Sequence, residues 1–539
     1  MRQRRIRWLA FTVIAAVVLG WTLFVVSRPD SEMLSYMADD AFYYLVPAVS
    51  FAQGHGWSHD HVTRTSGFQP LYGYGSAVAA VVTGDTRALP IVMTLSSAVT
   101  LLFGVWALLK RTEQLYGAAI AGAGIALTLA APLAFVQITR GLEWGWAVMM
   151  TALVVSVLTR ARGSSVWAVG AAAFFTTLVR VDLSVFVAIF ALTVAWSRWH
   201  ADAGTRNVGI LQCVVSAAGA GAALLITAAN SWAITGRWVP NSVAMKEFWS
   251  RSNDFQPAIS WDTLVSCTGP GAVLTSLRAA LGLRSFIVIG LFFACAALVS
   301  LHEWRKGPER RALAIASPAA LVAYTVAYAR GVNLISGHYS ASIIVPMALI
   351  MCGALAALPR YWPAVASGLA VGAAVVSVNG SWGGDPAILV IARHAGDLFG
   401  RLPSGARVAA WNAGTVGWRT GGHVINLDGL ANASVVPSLE SGQLSCYLLE
   451  NRIDHIMDYG MMFPGQIDTH FGNDEESRRK LHRDRNGYDS ATLYRCVNLE
   501  ATANDDTFPS SRYMLFGVNS NCLAELCRSD RARVVLPQH

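Results

Sequence analysis

Two adjacent aspartates, Asp39 and Asp40, follow the first long apolar segment of the chain, in the stretch Tyr36-Met-Ala-Asp-Asp-Ala-Phe-Tyr-Tyr44. Carboxylates beside hydrocarbon are costly unless a cation, a metal ion or a reacting proton compensates their charge. Asp is also a favoured helix N-cap, so capping is the competing interpretation. The pair is therefore a candidate general base, a candidate ligand set for a divalent cation, or a helix start.

The composition indicates which elements must position this pair. Hydrophobic residues make up 54% of the 539 residues and charged residues only 14%, whereas soluble domains carry about 25% charged residues. The net charge of +8 comes from short basic clusters between apolar runs. Such clusters orient membrane helices, and they do not indicate a nucleic-acid partner. The chain is predicted to be a polytopic α-helical membrane protein.

The first predicted span covers roughly residues 8–26 and follows the basic stretch Arg2 to Arg7. We interpret it as an uncleaved helix, since it is longer than the apolar part of a signal peptide. Further spans are predicted near 88–109, 115–137, 142–158, 165–179, 183–197, 208–229, 285–301, 312–329, 341–358 and 361–379. Residues 71–84 are short and Gly-rich, and a further span, a broken helix and a re-entrant segment all stay open. The prediction is about 11–13 transmembrane helices, each near the 20 residues that a bilayer requires.

Placing the basic clusters in the cytoplasm puts the polar motifs on the outer face of the membrane. These motifs are the long first loop at 27–70, Arg140-Gly-Leu-Glu143, Arg180-Val-Asp182, the segment from Thr235 to Lys246, and Tyr328 through Tyr339. Motifs that are distant in sequence thereby meet on one side of the bilayer. An active site requires that convergence.

Apolar spans end near Ser381, which predicts a membrane module at 1–380 and an extracytoplasmic α/β domain at 381–539. The predicted elements of this domain are strands at 408–414 and 424–429, a helix at 447–453 and a strand at 455–458. Asp428 and Asn432 are interpreted as turn residues, with acceptor contact as the alternative.

Four cysteines fall in the C-terminal domain, an even number on the side of the membrane expected to be oxidising. They are Cys446, Cys496, Cys522 and Cys527. Two disulfides are expected, and four cysteines allow three pairings.

A set of motifs in a fixed order carries a resemblance to a known superfamily. After Asp39-Asp40 come Thr65-Ser-Gly-Phe-Gln-Pro-Leu-Tyr72, Thr139-Arg-Gly-Leu-Glu143, Arg180-Val-Asp182, Gly236 to Lys246, Gly337-His-Tyr339, Asn412 to Gly417 and Asn426 to Asn432. The ensemble resembles the GT-C superfamily of polyprenol-phosphate-sugar glycosyltransferases. Within it, the chain is similar to bacterial relatives of the arabinofuranosyl- and mannosyltransferases that build actinobacterial envelope glycans. It departs from that pattern at Val181, where Arg-Pro-Asp is expected, and at Pro-Asn-Ser, where Pro-Asn-Thr is usual.

The resemblance implies an inverting transfer of arabinofuranose or mannose from a polyprenyl-phosphate donor to an envelope polysaccharide or glycolipid, on the outer face of a bacterial plasma membrane. An outer-loop carboxylate then serves as the general base. Asp39 is our first choice because it holds the first position of the pair, and Asp40 stays open. Either could also bind Mg²⁺, Mn²⁺ or Ca²⁺.

The other predicted site residues divide by the charge they meet. The donor phosphate would be bound by Arg140, Arg180, Lys246, Arg330 and His338. The acceptor or the sugar would be bound by Glu143, Asp182, Ser66, Gln69, Asn241 and Tyr339. Snorkelling to lipid headgroups is the rival interpretation for the cations, and ion pairs with Arg140 and Arg180 are the rivals for Glu143 and Asp182. The cluster His55, His59, Asp60 and His61 is interpreted as solvated polar surface.

Two functions of other classes stay open. A transporter or flippase of lipid-linked sugars would also carry intramembrane charges and an interrupted helix such as 71–84. However, the polar motifs share one face and no repeated half is evident. A non-catalytic scaffold that binds envelope glycans would tolerate the loss of both aspartates.

Overall fold

The structure is a computed structural model of the whole chain. It describes residues 1–84, 87–160, 165–201, 203–252, 306–331, 341–359, 361–381, 384–459, 495–503 and 513–535, together with Glu303 and Leu493. A bundle of apolar helices comes first, and a small α/β domain follows.

Apolar helices up to residue 381 form the bundle. In chain order they are α1 (Arg2–Val26), α2 (Asp30–Ser35), α3 (Asp39–Ala52), α4 (Pro70–Thr83), α5 (Ala88–Tyr116), α6 (Ala118–Leu129), α7 (Pro132–Val136), α8 (Trp144–Leu158), α9 (Val166–Val179), α10 (Leu183–Trp199), α11 (Ala203–Thr235), α12 (Asn241–Ser252), α13 (Pro308–Gly331), α14 (Ala341–Ala357) and α15 (Trp362–Ser381). Among the described residues, α1, α5, α11 and α15 are long and apolar enough to cross a membrane. Shorter apolar helices are α6, α8, α9, α10 and α14.

These helices match the predicted spans closely, and the predicted polytopic helical fold is confirmed. The predicted span at 115–137 is divided into α6 and α7, because Pro132 begins a new helix after Ala131. The span predicted at 285–301 lies outside the described residues. The count of crossings stays a prediction.

The predicted first outer loop contains helices, and residues 71–84 form one as well. Within 27–70 lie α2 and α3. Helix α4 has 14 residues, which gives it a length of about 21 Å, less than the ~30 Å of a hydrocarbon core. The helix is therefore too short to span the bilayer alone, and it packs against α3, α5 and α9.

The C-terminal domain is built on a five-stranded sheet. Its elements are α16 (Pro386–Gly400), β1 (Val408–Ala410), α17 (Ala413–Arg419), β2 (Val424–Asn426), α18 (Val436–Glu440), α19 (Leu444–Glu450), β3 (His455–Tyr459), β4 (Val497–Ala503), β5 (Tyr513–Val518) and α20 (Ser520–Val535). The strand order is β2-β1-β3-β5-β4, with β2, β1 and β3 parallel and the other pairs antiparallel. The carboxyl ends of the parallel strands therefore lie at one edge, where open α/β sheets bind their ligands.

Both expected disulfides form. Cys446 pairs with Cys527, which joins α19 to α20, and Cys496 pairs with Cys522, which joins the start of β4 to the same helix. The structure thus selects one of the three pairings that the sequence left open.

Each face of the sheet has its own apolar core, and each core includes a residue from the helical bundle. Successive strand residues point to opposite faces, so Ala409 and Ile425 join one core and Val408 and Val424 the other. Met245 of α12 packs in the first core. Tyr43 of α3 packs in the second. Segments 39–52 and 241–252 therefore belong to both parts of the molecule.

Candidate active site

The aspartate pair begins α3, with Ala38 as the N-cap. The Asp39 carboxylate accepts hydrogen bonds from the backbone N–H groups of Gly414, at 3.2 Å, and Thr415, at 2.7 Å. Both amides lie in the first turn of α17, where N–H groups have no partner within their own helix. The capping interpretation is therefore right about the chemistry and wrong about the helix: Asp39 caps α17 of the C-terminal domain.

Gly414 allows this contact because it has no side chain. A Cβ at this position would lie 2.2 Å from the Asp39 carbonyl oxygen. The Tyr43 hydroxyl adds a second link, since it accepts from the Ala413 N–H at 3.2 Å and lies 3.2 Å from Asp428 Oδ2. The start of α3 is thereby fixed to the loop between β1 and α17.

A buried carboxylate on the sheet shapes that loop from the other side. Asp458 of β3 is fully buried, and it accepts from the Trp411 N–H at 2.6 Å and from the Asn412 backbone and side-chain N–H groups at 3.1 and 2.9 Å. Asp458 fixes residues 411–412, and the amides two and three residues later hold Asp39. A charged residue within an apolar strand is the sequence signal that could have indicated this role.

Asp40 has different surroundings, although it is the next residue. It is half-buried. Burial is the largest influence on its pKa and raises it, and the negative charges of Asp39 and Glu143 act in the same direction. The positive charges of Lys246 and Arg140 lower the pKa, and the net value is about 6. Helix α3 is not among the candidate spans. Asp40 thus combines a half-buried carboxylate, two nearby cations and a pKa raised toward neutrality, which suits proton transfer.

Arg180 lies in a buried ion-pair network. Its guanidinium is 3% exposed, contacts Glu143 Oε1 at 2.9 Å and binds both oxygens of Asp182 at 3.1 Å. The rival interpretation of Asp182, an ion pair with Arg180, describes the observed contact, and Glu143 pairs with Arg180 and not with Arg140. This network joins two loops and leaves Arg140 and Lys246 as the described cations that act on Asp40.

Ser66, Asn241 and Gln69 also join segments that are distant in sequence. The Ser66 hydroxyl donates to Asn241 Oδ1 at 3.1 Å, and both residues are buried. Gln69 Oε1 accepts from the Val181 N–H at 3.2 Å. The structure therefore brings the first loop, the 180–182 turn and the start of α12 together, as the shared membrane face predicted.

Three predicted site residues, Arg330, His338 and Tyr339, have no described side-chain contacts. Arg330 lies within α13, and its side chain is not among those that the structure describes. His338 and Tyr339 lie outside the described residues.

The histidine-rich segment is only in part the solvated surface expected from the sequence, since His55 is exposed and His61 half-buried but the other two residues are buried. His59 is 1% exposed and Asp60 9%. Asp60 closes a turn by accepting from the Val62 and Thr63 N–H groups, and His59 Nδ1 lies 3.3 Å from the Val424 carbonyl oxygen. His59 is buried because the C-terminal domain packs against it, which its local composition did not reveal.

Comparison with known proteins identifies the fold. Two structures of the Archaeoglobus fulgidus oligosaccharyltransferase align with the chain. The complex with Zn and sulfate aligns at a TM-score of 0.50 and 14% identity, and the alignment covers 83% of this chain and 68% of the other. The apo form aligns at a TM-score of 0.53 and 12% identity, and the alignment covers 92% of this chain and 73% of the other. The chain has the GT-C fold. ArnT from Cupriavidus metallidurans bound to undecaprenyl phosphate aligns at a TM-score of 0.42, with 15% identity and 81% coverage of each chain. Because a TM-score below 0.5 does not establish a shared fold, the assignment rests on the first two.

Sequence comparisons add little to this result. A family described as "Domain of unknown function (DUF8728)" matches residues 389–509, most of the C-terminal domain. Comparison with curated proteins finds no significant match. The fold and the helices define a multi-pass membrane protein with a C-terminal α/β domain.

Proposed function

We propose that this chain is an inverting membrane glycosyltransferase that moves a sugar from a polyprenyl-phosphate donor to an envelope glycan acceptor. The observation that carries the proposal is Asp40: a half-buried carboxylate in the first turn of α3 in a GT-C fold, with Lys246 and Arg140 near enough to influence its charge. Arabinofuranose or mannose is the proposed sugar, and a polysaccharide or a glycolipid the proposed acceptor.

In the proposed reaction Asp40 accepts the proton of the acceptor hydroxyl. The oxygen attacks the anomeric carbon from the face opposite the phosphate, the bond between that carbon and the phosphate oxygen breaks, and polyprenyl phosphate leaves with the electron pair. One displacement inverts the configuration and needs no covalent enzyme intermediate. Lys246 and Arg140 supply positive charge for the leaving phosphate, where neighbouring hydrocarbon makes an uncompensated anion costly.

We assign the base to Asp40 and not to Asp39, our first choice from the sequence. Both oxygens of Asp39 accept backbone N–H groups of α17, so this side chain already holds the C-terminal domain in place. Asp39 becomes a positioning residue, as do Arg180, Glu143 and Asp182.

A divalent cation stays part of the proposal. One carboxyl group raises the pKa of a neighbouring one in three pairs, Asp385 that of Asp39, Asp39 that of Asp40, and Asp40 that of Asp428, and this concentration of negative charge suits a cation. Among the described residues no group of three His, Cys, Asp or Glu side chains could hold a metal ion. A divalent cation such as Mg²⁺, Mn²⁺ or Ca²⁺ would therefore be held by Asp40, and the substrate would have to supply other oxygen ligands. When bound, it would neutralise phosphate charge. One oligosaccharyltransferase structure of the same fold is a complex with Zn and sulfate.

The proposed setting is a bacterial plasma membrane, with Asp40 and residues 381–539 on the outer face and residues 1–380 as the membrane module. The basic clusters between the spans support this orientation. Glycan acceptors of the envelope are available on that side.

The test is transfer from synthetic polyprenyl-phosphate sugars by the purified chain, with a crude envelope-glycan acceptor. Removing a general base typically costs 10²–10⁴-fold in rate, so we expect Asp40→Asn to reduce kcat by that amount. Asp39→Asn, which keeps one oxygen for the α17 amides, should reduce it less. The reverse order would return the base to Asp39.

Two further outcomes distinguish the other functional classes. Full complementation of a deletion strain by Asp40→Asn would favour a glycan-binding scaffold. Movement of a lipid-linked sugar across vesicles without transfer would favour a flippase. A chelator, followed by Mg²⁺ or Mn²⁺, tests the cation.

A further inference from the structure

The turn that follows β2 lies next to the proposed reaction centre. Asn426 holds this turn by accepting from the Gly429 and Ala431 N–H groups, each at 3.1 Å. Asp428 is at its tip, and Asp428 Oδ1 accepts from the Leu430 N–H at 2.8 Å. The predicted turn is therefore present, and its shape depends mainly on Asn426.

Two helices of the bundle, α3 and α12, contact this turn, and α3 carries Asp40 close to Asp428. Tyr43, three residues after Asp40 and on the same face of α3, brings its hydroxyl to 3.2 Å from Asp428 Oδ2. The next residue, Gly429, packs so closely on Met245 that a Cβ would lie 2.7 Å from its sulfur. Met245 precedes Lys246 in α12, so the turn lies between the helix that carries the base and the helix that carries the cation.

The Asp428 side chain is oriented but not fully occupied. A carboxylate has about four acceptor sites, and it bonds Leu430, Tyr43 and Asn426. The residue is half-buried, and it lies close enough to Asp40 for the two carboxyl groups to influence each other electrostatically. The turn extends from the carboxyl end of a parallel strand, the edge at which open α/β sheets bind ligands.

We propose that Asp428 binds a hydroxyl group of the acceptor sugar and orients it toward Asp40, so that the C-terminal domain supplies part of the acceptor site. The inference rests on the proposed function and adds the substrate group recognised. It concerns a polyhydroxylated acceptor, because a carboxylate with neighbouring hydrogen-bond donors suits vicinal hydroxyl groups. Asp428 takes no proton from the reacting oxygen, which remains the role of Asp40.

The experiment compares Asp428→Asn, Asp428→Glu and wild type in full-length protein with a polyprenyl-phosphate sugar donor and synthetic alkyl glycosides as acceptor probes. One lost hydrogen bond to a charged group corresponds to roughly a 10- to 100-fold effect. We expect Asp428→Asn to raise the acceptor KM by that factor and to leave donor KM and donor hydrolysis within about twofold, with partial recovery in Asp428→Glu. Its melting temperature should match wild type, because Asn426 still holds the turn.

Asp454→Asn is the matched control. Asp454 also accepts a backbone amide, that of Arg407 at 2.9 Å, but it precedes β3, at the amino edge of the parallel strands. An acceptor KM that is unchanged in Asp428→Asn, or equally changed in Asp454→Asn, would overturn the inference while leaving the transferase proposal standing. Absence of transfer by wild type with every donor would overturn the proposed function, and the inference with it.

Discussion

Asp39 and Asp40 are adjacent residues with separate surroundings, because successive side chains on a helix point about 100° apart. Asp39 points to the amides of α17, and Asp40 faces Lys246, Arg140 and Glu143. A sequence shows two equivalent carboxylates here. Only the arrangement of the C-terminal domain distinguishes them.

Asp40 sets a pH dependence whose sign follows from its environment. Its pKa is raised from 3.8 to about 6, and a base must be deprotonated to accept a proton. We expect kcat/KM to rise with pH through about 6 and to level off above it. This rise of kcat/KM with pH should be absent from the residual activity of Asp40→Asn. If kcat/KM of the wild type rose near pH 4 and not near pH 6, the general base would be a different residue.

The same group has the opposite effect on stability. Between pH 4 and 6 the folded state holds the proton that the unfolded state releases, so the contribution of Asp40 to stability falls as pH rises through that window. Melting temperatures of wild type and Asp40→Asn, measured between pH 4 and 6, report this contribution of Asp40 to stability. The difference between the two should grow in favour of the variant as pH rises.

At the scale of elements, the contact between α3 and α17 is the decisive one. In Gly414→Ala, the methyl group would lie 2.2 Å from the Asp39 carbonyl oxygen, so α17 must move away and the Asp39 hydrogen bonds must lengthen. We expect at least a tenfold loss of kcat with both disulfides intact, since small misplacements in an active site are costly.

Gly400→Ala is the control for that substitution. Gly400 ends α16, and a Cβ there would meet no heavy atom of another element within 4 Å. Ala is also the better helix former, so the activity of this variant should equal that of wild type. Normal activity of Gly414→Ala would mean that the domain contact does not position the base.

Helix lengths explain why the spans were predictable and the contacts were not. The spans are defined by apolar composition over about 20 residues, and the predicted positions agree with the helices within a few residues. In contrast, α2, α3 and α4 are short and amphipathic or Gly-rich, and their packing against neighbouring elements stabilises them. Local composition carries little of that information.

At the scale of the molecule, the C-terminal domain contributes residues to the proposed site. Tyr43 and Met245 complete its two cores, and its loops contact Asp39 and lie beside Asp40. The membrane bundle alone would lack the α17 amides and Asp428. This arrangement predicts that activity depends on the folding of a domain that lies outside the bilayer.

Reduction of the disulfides tests that dependence. Cys446–Cys527 and Cys496–Cys522 close loops of 81 and 26 residues by sequence separation, and a disulfide typically contributes about 2–4 kcal/mol to stability. We expect dithiothreitol to lower the melting temperature and to abolish transfer at temperatures where oxidised protein is active. A Cys213→Ser variant should respond to reductant like wild type, because Cys213 is a free cysteine. Reduced protein with full activity would separate catalysis from the integrity of the domain.

The sequence by itself determined the membrane class, most of the helices, the α/β character of the C-terminal domain, the four disulfide cysteines and the aspartate pair. These features depend on residue type and on spacing within one segment. The tertiary structure decided the disulfide pairing, the burial of His59 and Asp60, the Arg180–Glu143 pair, and the separate surroundings of Asp39 and Asp40. It also revealed which distant residues Tyr43, Asp428 and Asp458 contact. Their roles arise from contacts between residues up to about 400 positions apart, and such contacts exist only once the domain has packed against the bundle.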